Sequence, residues 1–230
     1  MSAVQFGRFA KRLLWLYLPT SLFLIFVLLP FYWMTITSFK QDRNIFDPKA
    51  NPFWFNMAPT LKHYINLINP DKTDFLIWIQ NSLMIAAMVT VISVAIGIMA
   101  GYSLARLRYK GAETIGSSVF ITYLVPPALL FLPLSHVISQ LGLMETRWAM
   151  VLSYPTFLVP FCTWLLMGYF RTIPKEIEEC ALVDGCTRIK ALLRIVLPVA
   201  IAGIIRGAVF SFTLAWGEYL YSVTFVTDSY

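Results

Sequence analysis

The sequence predicts an all-α, polytopic membrane bundle. Three observations carry that: 58% of the 230 residues are hydrophobic, only 13% are charged, and the apolar residues gather in long runs. A soluble domain carries about 25% charged residues, so water is not the main solvent of this chain. A helix needs about 20 mainly apolar residues to cross the hydrocarbon core. Five runs qualify, roughly Leu13–Phe39, Phe75–Ala105, Ile115–Ile138, Trp148–Phe170 and Val199–Phe225. Open sheet edges and unpaired backbone groups cannot face lipid, so each run is expected to be helical.

The first run follows Arg8, Lys11 and Arg12, the charge pattern of a signal peptide. It is too long for one, since a signal peptide's apolar core covers roughly 7–15 residues and ends at an A-x-A-like site that is missing here. It reads as an uncleaved span preceded by a short segment, 1–12. Segment 40–74 then carries Pro48, Pro52, Pro59 and Pro70 with Phe53, Trp54 and Phe55. It is too long for a minimal turn and is expected to form a feature outside the membrane. In the second and fifth runs the pairs Gly97/Gly101 and Gly203/Gly207 have the four-residue spacing that lets helices approach closely. Pro126, Pro127 and Pro133 interrupt the third run, and Pro155 and Pro160 the fourth. Such breaks suit helices that line a cavity and equally suit plain packing kinks.

Orientation follows from the basic residues. With the N-terminus inside, eleven Lys and Arg fall in inner segments, among them Arg8, Lys11, Arg12, Arg106, Arg108 and Arg171, against six in outer ones. That asymmetry places the N-terminus in the cytoplasm. It also accounts for the net charge of +6 without a nucleic-acid partner, which would need basic residues on a solvated face.

Several chemistries are excluded. Cys162 lies in an apolar run, and Cys180 and Cys186 stand six apart without a neighbouring His, so neither a disulfide framework nor a metal site is expected. Gly111 and Gly116-Ser117 have P-loop glycine spacing but lack the lysine and the preceding strand, so no ATP site is encoded. Neither a G-x-S-x-G elbow nor an H-E-x-x-H pair occurs. No catalytic residue is assigned, and the chain is not expected to be an enzyme.

The segment from Arg171 to Pro198 is the most informative. Pro174 suits the first turn of a helix, and Glu176, Glu178 and Glu179 favour its positive end. A helix is expected from Pro174 to about Asp184, ended by a left-handed Gly185. Thr187 is placed to cap a second helix, and Pro198 to mark its junction with the next span. Ile177, Cys180, Ala181 and Asp184 fall at i, i+3, i+4 and i+7, giving one mostly small, apolar face. That face fits either the bilayer surface or a groove on a soluble partner.

The spacing Glu179-Cys180-Ala181, three residues, Gly185, nine residues, Ile195-x-Leu197-Pro198 resembles the EAA loop of ABC importer permeases, with Asp184 also typical and Cys180 in place of alanine. Asn81-Ser82-Leu83, Gly101 to Arg106 and Trp216 to Leu220 resemble the carbohydrate-uptake permeases of the maltose type. The resemblance implies a type I importer permease fold and a multi-pass protein of the bacterial inner membrane. It further implies that loop 171–198 seats in a cleft of a separate ATPase subunit. Glu179 would then make polar contacts, Ala181 and Gly185 would permit close approach, and Pro198 would fix the join to the membrane helix. Implied partners are a second homologous permease, two ATPase subunits that hold ATP and magnesium, an extracytoplasmic solute-binding protein and the lipid bilayer. Family members carry a sixth span after a segment like Val226 to Tyr230, so five spans are counted in domain 13–230 and truncation of a sixth is expected.

Charges within a span are functional candidates, because burying one costs about 3 kcal/mol on insertion scales. Glu218 is a candidate for the pore or simply meets water; Arg206 lines a path or snorkels. Trp216, Tyr219, Tyr123 and Tyr154 are candidates for a sugar path, against the alternative of interfacial and packing aromatics. The leading expectation is carriage of a carbohydrate or polyol. The rivals are polyamine, phosphate ester or another solute on the same machinery, and a passive channel or structural membrane protein.

Overall fold

A computed structural model describes residues 12–107 and 109–226. Arg8, Lys11, Arg108, nearly all of segment 1–12 and the end of the Val226–Tyr230 segment lie outside the described residues. The chain divides after Leu76 into two compact units.

In the first unit a π-helical turn, Leu13–Tyr17, leads into α1 (Leu18–Ser38), which has no buried residue. A mainly apolar helix without a buried residue suits lipid as solvent, and its last turns touch the segment that follows, through Tyr32 and Trp33 against Phe53. Two short helices follow, α2 (Asp42–Ile45) and α3 (Lys62–Ile68). Their connections are tied by polar contacts: the buried Lys40 ammonium donates to the carbonyls of Asn51 (2.7 Å) and Pro52 (3.0 Å), and His63 Nε2 lies 2.8 Å from the Lys40 carbonyl.

The second unit is built on α4 (Phe75–Arg106). Gly111, in the left-handed region at φ +90°, opens α5 (Ala112–Tyr123), and α6 (Pro127–Gln140) follows at 92° to it. The cause of that bend is local. Pro127 lacks an N–H and disfavours helical backbone at the residue before it, and Pro126 is indeed extended, with ψ 130°. After α7 (Arg147–Ser153), Pro155 occupies the first turn of α8 (Pro155–Thr172). Proline is tolerated there because first-turn N–H groups have no helical acceptor.

Helix α8 packs against α5 and receives α4 at very short range. A Cβ on Gly97 would stand 2.6 Å from the Cys162 Cβ, and one on Gly101 would stand 2.9 Å from the Met167 backbone nitrogen. Both glycines are required by contact, as their spacing predicts; a Cβ on Gly207 would meet nothing closer than 3.7 Å.

The 171–198 segment forms α9 (Lys175–Val183), α10 (Arg188–Ala191), a π-helical turn over Leu192–Val196 and α11 (Leu197–Val199). The widened turn lies directly N-terminal to Pro198, whose ring would otherwise strike the carbonyl one turn back. The chain then bends by 78° into α12 (Ile201–Trp216). The fifth apolar run does not continue as one helix to Phe225. It stops at Trp216, and a separate α13 (Leu220–Phe225) follows. Among the described residues, three single helices are long and apolar enough to cross a membrane, and each bent pair supplies a further possible span.

Candidate functional site: the loop between α8 and α12

Local backbone chemistry builds the loop as its sequence dictates. Pro174 sits at the N-cap of α9, with Glu176 and Glu178 in the first turn. At the other end Gly185 has φ +86°. Its N–H donates to the Leu182 carbonyl at 3.1 Å, and the Cys186 N–H donates to the Ala181 carbonyl at 3.0 Å. These are the two bonds of a Schellman motif, which needs a residue free to adopt positive φ. Thr187 caps α10, its hydroxyl accepting the Lys190 N–H at 3.4 Å.

Of the face expected to meet the bilayer or a partner, three of four residues are exposed and one is turned inward. Ala181 is buried, but its companion is Glu178, 5% exposed, while Ile177, Cys180 and Asp184 face outward. The reason is a polar cluster that hydropathy spacing cannot register. Tyr102 Oη donates to Glu178 Oε1 at 2.5 Å, Arg106 Nε lies 3.6 Å from Oε2, and Arg106 Nη2 donates to the Ile173 carbonyl at 2.7 Å. Tyr102 and Arg106 stand one turn apart at the end of α4, so they present both groups on one face. Below them Tyr102, Leu166, Phe170, Ile173, Val196 and Ala200 form an apolar core.

The outward side carries Glu179, Cys180, Asp184 and Gly185 together with exposed apolar groups: Ile177, Val183 at 88% exposure, Ile189 at 70% and Leu193 at 57%. Ile195 and Leu197 are half-buried, and Pro198 is exposed. Glu179, Cys180, Asp184 and Gly185 are therefore all accessible, whereas Ala181 is buried.

Residues 93–228 match the family model described as binding-protein-dependent transport system inner membrane component. The chain is 36% identical over 93% of its length to the inner membrane ABC transporter permease protein YcjP of Escherichia coli (strain K12), covering 75% of that protein. The chain belongs to this permease family. It is also 31% identical to the trehalose/maltose transport system permease protein MalG of Thermococcus litoralis, over 95% of this chain and 77% of that one. The fold matches that of a bacterial ABC transporter involved in import of the acidic polysaccharide alginate, with TM-score 0.70 at 19% identity over 97% of this chain and 75% of that chain. The protein is thus a permease subunit of a binding-protein-dependent ABC importer, a multi-pass component of the inner membrane, in a family that works with an ATPase and a solute-binding protein.

The remaining candidates in the permease lie apart from the loop. Tyr154 is buried, and its hydroxyl points to Glu218 at 3.5 Å. Glu218 accepts the Tyr221 N–H at 3.0 Å and so caps α13. Tyr221 in turn donates to the Pro127 carbonyl at 2.7 Å, beside the α5–α6 bend. Tyr123 lies 6.5 Å from Trp164 in a stacked arrangement and 5.3 Å from Phe161. Trp216 and Tyr219 are exposed, and so is Arg206, on α12. Tyr154 and Glu218 thus meet, while Tyr123 belongs to a separate aromatic group. Among the described residues there is no cluster of three or more His, Cys, Asp or Glu able to hold a metal.

Proposed function

We propose that this permease is one of two homologous membrane halves of a carbohydrate or polyol importer, with its N-terminus in the cytoplasm. In this reading loop 171–198 docks a separate ATPase subunit, and ATP with magnesium is bound and hydrolysed there. The observation that carries the docking is the surface of α9, α10 and the π-helical turn after them, where Ile177, Val183, Ile189 and Leu193 are exposed and Glu179, Cys180 and Asp184 are accessible too. Apolar side chains ringed by charge fit the groove of a soluble partner. Support for a sugar as cargo comes from the trehalose/maltose permease of Thermococcus litoralis and from the diacetylchitobiose uptake permease DasC of Streptomyces coelicolor, 29% identical over 95% of this chain.

Two experiments test the two halves of this reading. Gly185→Arg should abolish capture of the ATPase by the solubilised permease, since a side chain at φ +86° both strains the motif and projects from the docking surface. Undiminished capture would sink the docking. With the complete transporter in liposomes, binding protein loaded with trehalose, maltose or diacetylchitobiose should stimulate ATP hydrolysis. Stimulation by a polyamine or phosphate ester alone would move the cargo to that class.

A further inference from the structure

Neighbouring glutamates of α9 differ sharply in burial. Glu179 is exposed, while Glu178 is buried against Tyr102 and Arg106. A carboxylate leaves water only with partners, and here both partners come from the last turn of the long helix α4. The same guanidinium reaches the end of α8 through the Ile173 carbonyl. One buried cation therefore joins α4, α8 and α9.

We propose that Tyr102, Arg106 and Glu178 form the joint through which displacement of the docked loop is delivered to α4, with Glu178 as a positioning residue and Glu179 on the docking side. The proposal rests on the docking reading above. Helix α9 is nine residues long, and Ala181 is its only other buried residue among those described, so apolar burial gives it little hold on the bundle. A charge pair whose side chains are only 3% and 7% exposed is directional and resists separation. The pair also has room to tighten. Among the described residues Arg106 Nε and Nη1 have no hydrogen-bond partner, and a shift of α9 of about 1 Å would bring Glu178 Oε2 from 3.6 Å to charge-assisted bonding distance. A push on the loop therefore draws α4 along rather than sliding past it.

The test uses the assembled transporter, with the second permease and the ATPase pair, carrying nitroxide labels at Met99 on α4 and Glu176 on α9, both exposed. The label separation is read without nucleotide and after trapping with ATP and vanadate, alongside the amount of ATPase that copurifies. With the joint intact the separation is the same in both states. In Glu178→Gln and Arg106→Lys it should differ between the states while ATPase copurification stays within about twofold, because the docking face is untouched. The charge-swapped double variant, Glu178→Arg with Arg106→Glu, should restore a single separation. Tyr102→Phe removes one hydroxyl, keeps the packing against Phe170, and should give an intermediate response, which decides the matter if the charge variants fail to accumulate. Identical separations in Glu178→Gln, or copurification lost in step with the separation change, would overturn the joint. Absence of ATPase from the unaltered complex would instead overturn the docking reading, and the joint with it.

Discussion

The segment between α1 and α4 contains an ion pair, the loop between α8 and α12 shares one with the end of α4, and the two could hardly differ more in setting. Lys62 and Asp42 meet at 3.0 Å with side chains 62% and 52% exposed; Arg106 and Glu178 stand 3.6 Å apart with side chains 3% and 7% exposed. The shorter contact is the weaker. On the surface, water replaces either partner and salt screens both, so such pairs contribute little. In the buried site, removing one partner strands the other. The first region relies on a different buried cation, Lys40, whose ammonium is satisfied by two carbonyls and lies 5.9 Å over the Trp33 ring. Environment, rather than distance, ranks these contacts.

The largest effect should follow from Glu178→Ala, which leaves Arg106 buried without its carboxylate and should cost about 3–5 kcal/mol. Denaturation of the purified permease in detergent measures this, and a loss under about 1 kcal/mol would show that water enters the site freely. Next comes Gly101→Ala, where the added Cβ at 2.9 Å from the Met167 nitrogen pries α4 from α8, for about 1–3 kcal/mol in the same assay. Gly185→Ala places a side chain at φ +86° in open space, so only the backbone preference is lost, roughly 1 kcal/mol. That variant should keep its ATPase, in contrast to Gly185→Arg, which separates strain from obstruction.

Much of this was readable because lipid leaves the backbone few choices. Run length alone located the three helices long and apolar enough to cross a membrane, though not the bends in the third and fifth runs, and Pro174, Gly185 and Thr187 marked the loop helices because caps depend on neighbours in sequence. The burial of Glu178 beside Ala181 was not readable. It depends on Arg106, which lies far along the chain, and a period-based reading assigns a glutamate to the wet side. The end of α12 was missed for a related reason: apolar residues continue on both sides of Gly217, and only the Glu218 carboxylate capping α13 reveals the break. Tyr154 was legible as a candidate for the sugar path or a packing aromatic, but not as a residue whose hydroxyl points to Glu218.

The smallest effect sharpens the contrast from the exposed side. Asp42 has its pKa lowered below the usual 3.8, first by the hydrogen bond from Lys62 and then by that residue's charge. A carboxyl with a depressed folded-state pKa contributes stability that is fully present above its unfolded value and disappears as pH falls through the folded one. The pair's contribution should therefore vanish only below about pH 4, and 1 M salt should weaken it at neutral pH by shortening the Debye length to about 3 Å. Asp42→Asn should lower the unfolding midpoint at pH 7 and moderate salt only slightly and erase that acid-side dependence. Glu178→Gln at the buried pair should shift the midpoint at any salt concentration. If salt moved both variants alike, the Arg106 site would be as wet as the Lys62 site, and the ranking by environment would fail.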